Sequence, residues 1–395
     1  MKPQLHIVIF DGDLHPSTFV YRLAEGLSKL HKVSIMGFSG KPRPGIPNLS
    51  YVPLGSASRF PSLVLKSLSW SFTYFLKKGS PKPFLATLKN SIWLRKTHLQ
   101  QQNFHLALAL LRPDIVHVQW LSLLPWCEEI LSKRMYKVVL SQRGYQVNVR
   151  PFVDVVNFEY LQQWYPKLSG FHSVSQAISV VGNTIWDAPK KIDHVVYSGF
   201  DFDTIPFREK YTKETTLKIL SVGRPHWIKG YATALKACEL LKKYHVPFQY
   251  TIIGAEKDEE LLVLMDTYGI SQHVHLLPKC SQDQVYQIMG QHDVLLFPSY
   301  QEGLPNVVVE AMAIGLPVVA TQCGVEELWK ESWDPLVPAY DSVALANALV
   351  AFSKKPLEAI EKQRLEARMN VLKQHASVKM VADMEMLYQK VMEQG

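Results

Sequence analysis

The chain has 395 residues, 47% hydrophobic and 20% charged side chains, a formal net charge of +8 and four cysteines. That length suits two domains with substantial cores, and the composition excludes collagen, a coiled coil and a disordered chain. Cys127, Cys238, Cys280 and Cys323 are far apart with no Cys-x-x-Cys spacing, against a disulfide framework or structural zinc, and no apolar run nears the ~20 residues of a membrane span.

Leu5–Phe10 is an apolar run too short for a signal-peptide core, and it reads as a first strand. Asp11-Gly12-Asp13 follows it as a turn. Ser17 is placed to N-cap a helix from Thr18 to Leu30. Val33–Gly37 and Leu49–Val52 read as short strands. So do Ile115–Gln119 and Val138–Ser141, with a helical stretch between them. A second set follows at Leu217–Val222, Tyr250–Ile253, Val274–Leu277, Val294–Phe297 and Val318–Ala320, again separated by helical segments. Ser281 with Gln284 forms a capping box for one of these. Short apolar strands alternating with helices predict parallel sheets joined by right-handed crossovers. The polar stretch Tyr197–Lys218 reads as the linker between two doubly wound domains, residues 1–200 and 215–375. A last helical segment, 376–395, follows, and packing back on the first domain is one arrangement open to it. Such a chain predicts ligand binding at the carboxyl ends of its strands, in a cleft between the domains.

The charge is uneven. Between Glu25 and Asp114 lie thirteen Lys and Arg residues and no Asp or Glu. A one-signed region fits an anionic partner. The Trp and Tyr residues from Trp70 to Trp93 are mixed with these cations. That mixture suits packed helices with a solvated basic side, and equally a membrane interface.

After Leu217–Val222 the chain reads S-V-G-R-P-H-W-I-K-G, Ser221 to Gly230. Gly223 lets the backbone turn off the strand end. Arg224 and Lys229 project from one loop, and the helix starting at Gly230 adds partial positive charge. Two cations beside a helix N-terminus suit a diphosphate; solvated loop charges are the plain alternative. After Val294–Phe297 comes P-S-Y-Q-E-G-L-P-N-V-V-V-E-A-M-A-I-G-L-P-V-V-A-T, Pro298 to Thr321. Glu302 lies in the loop, and Glu310 lies inside a helix entered through Pro305 as a first-turn proline. Glu310 among apolar neighbours reads as a buried carboxylate in need of a partner, and ribose hydroxyls would serve. A helix-surface charge is the alternative. Glu302 and the backbone N–H groups near Asn306 and Val307 would face sugar and phosphates. In the first domain, Asp11, Gly12 and Asp13 line a cleft or form a plain turn. His117 is a ligand or a core histidine. Arg143 meets acceptor or donor, or is a loop charge.

Together these motifs resemble the retaining glycosyltransferases of family 4. The residues that carry the resemblance are V-G-R-P-H-W-I-K-G, I-I-G-A at Ile252–Ala255, and D-V-L-L-F-P-S-Y-Q-E-G-L-P-N-V-V-V-E at the start of Asp293–Thr321, which holds the family's Glu-x₇-Glu signature. The likeness is strong over Lys218–Leu328. It is weaker in P-D-I-V-H-V-Q-W (Pro113–Trp120), S-V-S-Q-A-I-S (Ser173–Ser179) and S-G-F-D-F-D (Ser198–Asp203). It implies an α/β GT-B fold: two doubly wound, Rossmann-like parallel-sheet domains facing across a cleft, an N-terminal acceptor domain and a C-terminal donor domain. It implies a hexosyltransferase-type enzyme that moves a sugar from a nucleotide diphosphate to a glycan or lipid-linked hydroxyl, in cell-surface polysaccharide or glycoconjugate biosynthesis.

By this resemblance Arg224 and Lys229 bind the donor diphosphate, Glu310 holds the ribose and Glu302 faces the donor sugar. Arg224, Lys229 and Glu302 would carry the chemistry. Gly223, Gly303, Leu304, Asn306 and Val307 complete the donor site. Asp11, Gly12, Asp13, His117 and Arg143 are the acceptor-side or cleft candidates. Two positions depart from the family pattern: Gln119 stands where a second His is common, and Gly324 stands alone where a glycine pair is common. Asp201-Phe202-Asp203 lies in the linker, away from the place of an Asp-x-Asp metal motif. No metal or other cofactor is therefore expected. The partners the resemblance implies are a nucleotide sugar and a glycan or lipid-linked acceptor; the basic stretch adds an anionic membrane surface, with no nucleic acid, and the location expected is cytoplasmic, peripheral at the inner face of the membrane. Two rivals stay open at this stage: a sugar-nucleotide epimerase or phosphorylase on the same fold, and a non-catalytic polyanion-binding protein.

Overall fold

The computed structural model describes residues 3–43, 45–56 and 58–394. The chain divides into two compact units, Met1–Gly199 with Ser377–Gly395, and Phe200–Ala376.

Unit 1 is built on a parallel sheet of β1 (His6–Asp13), β2 (Lys32–Ser39), β3 (Leu49–Pro53), β4 (Ile115–Val118), β5 (Lys137–Gln142), β6 (Gly170–Ser173) and β7 (Asp193–Val195), in the order β3-β2-β1-β4-β5-β6-β7. Its strands are covered on both faces, which is why they read as continuous apolar runs. Alternate residues divide between the faces. Ile7, Ile9, Val33 and Ile35 pack with helix α1 (Thr18–Ser28), whereas Val8, Phe10, Met36 and Val116 pack on the opposite side. Three helices follow β3: α2 (Phe60–Lys78), α3 (Lys82–Ile92) and α4 (Lys96–Leu111).

Several expectations need correction here. Asp11-Gly12-Asp13 is not a turn after β1 but its last part, where pairing with β2 shifts register beside Gly12 at φ +82°. Such a bulge re-aims side chains at a strand end. Ser17 stands at the N-cap of α1, but its side chain makes no capping bond, and the helix ends at Ser28. Strands β6 and β7 lack the apolar signal of their neighbours and were not predicted.

Unit 2 has a second parallel sheet: β8 (Leu217–Val222), β9 (Phe248–Ile253), β10 (Val274–Leu277), β11 (Val294–Phe297) and β12 (Val318–Ala320), in the order β10-β9-β8-β11-β12. Helices α5 (Tyr231–Lys243) and α6 (Asn306–Ile314) follow β8 and β11. The capping box of Ser281 and Gln284 is formed at the helix Gln282–Gly290. Pro305 is the N-cap of α6 and not a first-turn residue: its ψ of 111° is extended, so helical geometry begins at Asn306.

The last helix, α7 (Ser377–Glu393), belongs to unit 1. Met384, Leu387, Tyr388 and Val391 are fully buried in the core that holds α1 and the odd face of β1. His31, in the turn between α1 and β2, bonds to Glu385. Removing a buried leucine leaves a cavity as well as losing transfer energy, so Leu387→Ala should destabilise unit 1 by about 2–5 kcal/mol. Denaturant unfolding read with limited proteolysis checks this. Residues before 200 should become cleavable first, and an unchanged unfolding midpoint would refute the assignment of α7 to this core.

Candidate active site

In a doubly wound sheet the crossovers leave in opposite directions from two neighbouring strands, and a crevice opens at their carboxyl ends. In unit 2 those strands are β8 and β11. The chain leaves β8 through Gly223, at φ +155°, and Tyr231 OH donates to its carbonyl at 2.9 Å. Arg224 follows, exposed. A short turn, Trp227–Lys229, is capped by the His226 side chain and closed by Gly230 at φ +66°.

Gly230 lies against the loop after β11: a Cβ there would sit 2.0 Å from the Pro298 carbonyl oxygen. Beside it, Tyr300 N–H donates to Ile228 C=O at 2.7 Å. The two loops are thereby stitched together, and Lys229 Nζ reaches Glu302 Oε1 at 2.7 Å, with the side chains 23% and 19% exposed. Ser299 Oγ donates to the same carboxylate oxygen at 3.1 Å. Glu302 is held from below by the loop after β12. Its N–H donates to Cys323 C=O, and a Cβ on Gly324 would lie 2.6 Å from its carbonyl oxygen. The lone glycine therefore gives the close approach this loop requires.

Glu310 is buried within α6, among Val308, Val309, Ala311 and Met312; this removes the alternative of a surface charge. Asn306 and Val307 form the first turn of α6, where N–H groups lack intrahelical acceptors and the helix dipole is positive. Among the described residues, Asn306 Oδ1 is buried without a hydrogen-bond partner. Gly303 is buried and Leu304 half-buried in the same entry loop. Lys229, Glu302 and the start of α6 thus lie on the loops of one strand-end crevice, and Arg224 lies on the β8 loop with Lys229. Sequence reasoning missed Ser299, and it missed the aromatic rings at this edge. Tyr300 stacks on Tyr340 at 3.7 Å and lies 6.5 Å from Trp227.

The corresponding pair of strands in unit 1 is β1 and β4. Asp11 is 8% exposed there, and Trp120 Nε1 donates to it at 2.8 Å. Burial pushes its carboxyl up to about 6, against the opposing pull of the Trp120 N–H and the Arg143 charge. Arg143 is not a loop charge. It is half-buried, lies 4.6 Å over the Phe19 ring and donates to Gln119 Oε1 at 3.0 Å; burial lowers it to about 10. Among the described residues Gln119 Nε2 and Arg143 Nε are buried without partners. Asp13 accepts from His15 N–H at 2.9 Å and shapes the turn.

Of the two readings of His117, ligand or core histidine, the structure supports the core, and it corrects the placing of this residue among the acceptor-side candidates. It is fully buried, with Tyr388 OH 2.7 Å from Nδ1 and Ser141 Oγ 2.9 Å from Nε2. Burial first, then Arg143, drives it down to about 3, so the ring is neutral.

Three comparisons with known proteins bear on this site. Residues 203–369 match the family model described as Glycosyl transferases group 1. WcaL of Escherichia coli (strain K12), whose name assigns it provisionally to colanic acid biosynthesis as a glycosyltransferase, is 34% identical over 177 residues, 42% of this chain and 43% of WcaL. The amylovoran biosynthesis glycosyltransferase AmsK of Erwinia amylovora is 27% identical over 64% of this chain and 66% of its own. The chain thus spans between about a quarter and two thirds of the length of the curated relatives it matches. Among solved structures, HepE of Anabaena, in complex with UDP and glucose, superposes with a TM-score of 0.70 at 16% identity, over 98% of this chain and 100% of that one. The sucrose-phosphate synthase of Thermosynechococcus elongatus gives 0.75 at 16% identity, over 99% of this chain and 100% of that one. The fold is GT-B, with two Rossmann-like units.

Asp11 supplies a test of the unit 1 cluster. Its folded-state value of about 6 lies above the ordinary 3.8. Between those values the native state binds more protons than the unfolded chain, so stability falls as pH rises from about 4 to 6 and stays reduced above. Asp11→Asn keeps the acceptor for Trp120 and removes the charge. It should stabilise the protein at pH 7 by about 2–3 kcal/mol, and the gain should vanish near pH 4. Thermal denaturation across that range is the measurement; a loss of stability at pH 7 would show that the charge is satisfied.

Proposed function

We propose that this chain, which carries a group 1 glycosyl transferase domain at residues 203–369, moves a sugar from a nucleotide diphosphate to a hydroxyl of a glycan or lipid-linked acceptor, with retention of configuration. The observation that carries the reading is the crevice at β8 and β11. There Lys229 and Glu302 pair, Arg224 leads the β8 loop and the N-terminus of α6 enters from the β11 side. Transfer breaks the bond from the sugar's anomeric carbon to the diphosphate oxygen and forms one to the acceptor oxygen, whose proton passes to the departing diphosphate. Negative charge grows on the leaving diphosphate. Fixed cations and helix dipoles stabilise that charge without reorganising. Retention means that the new bond forms on the face from which the diphosphate departs.

In this reading Arg224, Lys229 and the first N–H groups of α6 receive the diphosphate. Lys229 then turns from Glu302 to phosphate oxygen, and Glu302 becomes available to the donor sugar. Glu310 holds ribose hydroxyls. Support for the donor class comes from HepE, which was solved with UDP and glucose. Support for a role in polysaccharide biosynthesis comes from the names of WcaL and AmsK. Lysine and arginine do what a divalent cation does in other transferases, so the reaction proceeds without metal. The four free thiols fit a reducing, cytoplasmic compartment.

Two measurements test these roles. Steady-state kinetics with UDP-glucose and related donors, with product anomers read by NMR, should separate the side chains. Hydrogen bonds to charged groups contribute roughly 1.5–3 kcal/mol, so Arg224→Ala and Lys229→Ala should each cost ~10–100-fold in kcat/KM. Glu310→Gln should mainly raise the donor KM, and Glu302→Gln should mainly lower kcat. Near-normal kinetics in both cation variants would end the diphosphate assignment. Independently, activity should survive EDTA; complete loss restored by magnesium or manganese would overturn the metal-free reading.

A further inference from the structure

Helices α2 and α3 of unit 1 are built with their polarity reversed. The side chains they bury are largely hydroxyls: Ser67, Ser71 and Thr87 are all fully buried. Ser71 Oγ lies 2.8 Å from Thr87 Oγ1, and Gln102 of α4 donates to both and to Pro83 C=O at 2.7–3.1 Å. The outer faces are apolar. On α2, Leu65, Phe72 and Leu76 recur at i, i+7 and i+11; on α3, Leu85, Leu88 and Ile92 recur at i, i+3 and i+7. These six are 44–78% exposed. Trp93 and Leu94 continue the surface at 67% and 65% exposure. A helix that shows its outer face to water is patterned the other way round, and an exposed apolar patch of this size marks an interaction surface.

The surroundings of the patch identify the partner. Lys77, Lys78, Lys82, Lys89, Arg95 and Lys96 stand exposed beside and among these residues, and residues 26–113 contain no Asp or Glu. Lysine is depleted in protein–protein interfaces. Apolar stripes edged by unopposed cations instead match a bilayer whose surface is anionic: aliphatic and aromatic groups enter the acyl boundary and the ammonium groups stay among the headgroups. No helix among the described residues is long and apolar enough to cross a membrane. We propose that the α2–α3 hairpin is a monolayer-inserted docking element by which unit 1 sits on anionic lipid.

The test uses the full chain and vesicles of phosphatidylcholine, alone or with about one third phosphatidylglycerol. Neither acceptor nor nucleotide sugar is present, so the result is independent of the donor reading. The protein should sediment with the anionic vesicles and stay in solution with the neutral ones. Leu85→Ser/Leu88→Ser/Ile92→Ser/Trp93→Ser should lower the bound-to-free ratio at least ~10-fold through lost apolar insertion. Lys77→Glu/Lys78→Glu/Lys82→Glu should do the same at low salt. Because the replaced side chains are exposed, the serine variant should melt at or above the parent temperature. If it does not fold, Leu65→Ser/Phe72→Ser/Leu76→Ser repeats the test on α2. The proposal fails if the parent ignores anionic vesicles at low salt, or if the serine variants sediment as the parent does. It also fails if light scattering shows a dimer that these variants dissolve while vesicles go unbound, since the face would then be a contact between copies.

Discussion

One backbone hydrogen bond, from Tyr300 N–H to Ile228 C=O, holds the two loops of the unit 2 crevice together. Sheet order alone brings the ends of β8 and β11 into adjacency; it does not decide how far their loops stand apart. Gly230 does. With any side chain there, the Pro298 carbonyl would be pushed away, the loops would part, and Lys229 would lose Glu302. The site's charge arrangement therefore rests on the absence of one methyl group, 72 positions before the carboxylate it serves.

The two units obey the same topological rule with different chemistry. Unit 2 presents cations, a helix N-terminus and a carboxylate already engaged by lysine, a set suited to an anion that can displace one partner of an ion pair. Unit 1 presents buried Asp11 and Gln119 with half-buried Arg143, hydrogen-bonded to one another or to Trp120. Behind them runs a sealed polar chain: Tyr388, His117, Ser141, His172 and the Val196 carbonyl. A buried network of this kind specifies one arrangement of a core when its members are satisfied. It also explains why a histidine on a strand is a poor guide to a ligand site: the partners of His117 come from β5 and from a helix 271 residues away.

The strands of unit 2 were legible almost residue by residue. Leu217–Val222, Val294–Phe297 and Val318–Ala320 are largely apolar runs between turn residues, as buried parallel strands should be, and Val274–Leu277 is a half-buried edge that still carries the signal. Strand β6 has only Phe171 as a large apolar residue, and β7 is a half-buried edge, so neither carries that signal. The buried Glu310 was legible from its neighbours. The pairing of Lys229 with Glu302 was not, because it spans 73 residues and depends on loop closure. Asp11 reads as following the first strand, as a cleft or turn residue, because a bulge has no period of its own. The reversed helices α2 and α3 show a further limit: composition flagged their cations and aromatic residues, but only the packed hairpin shows that serine and threonine face inward.

The return of α7 to unit 1 orders the events of synthesis. The segment that completes the β1 side of the first core is translated after every residue of unit 2. While Phe200–Ala376 is emerging with all its strands and helices, unit 1 still shows water the apolar surface that Met384, Leu387 and Val391 will cover. The first unit, though begun earlier, is therefore the last to receive all of its core. Chaperone binding should accordingly concentrate on the α1 face of the newly made chain and end when α7 packs.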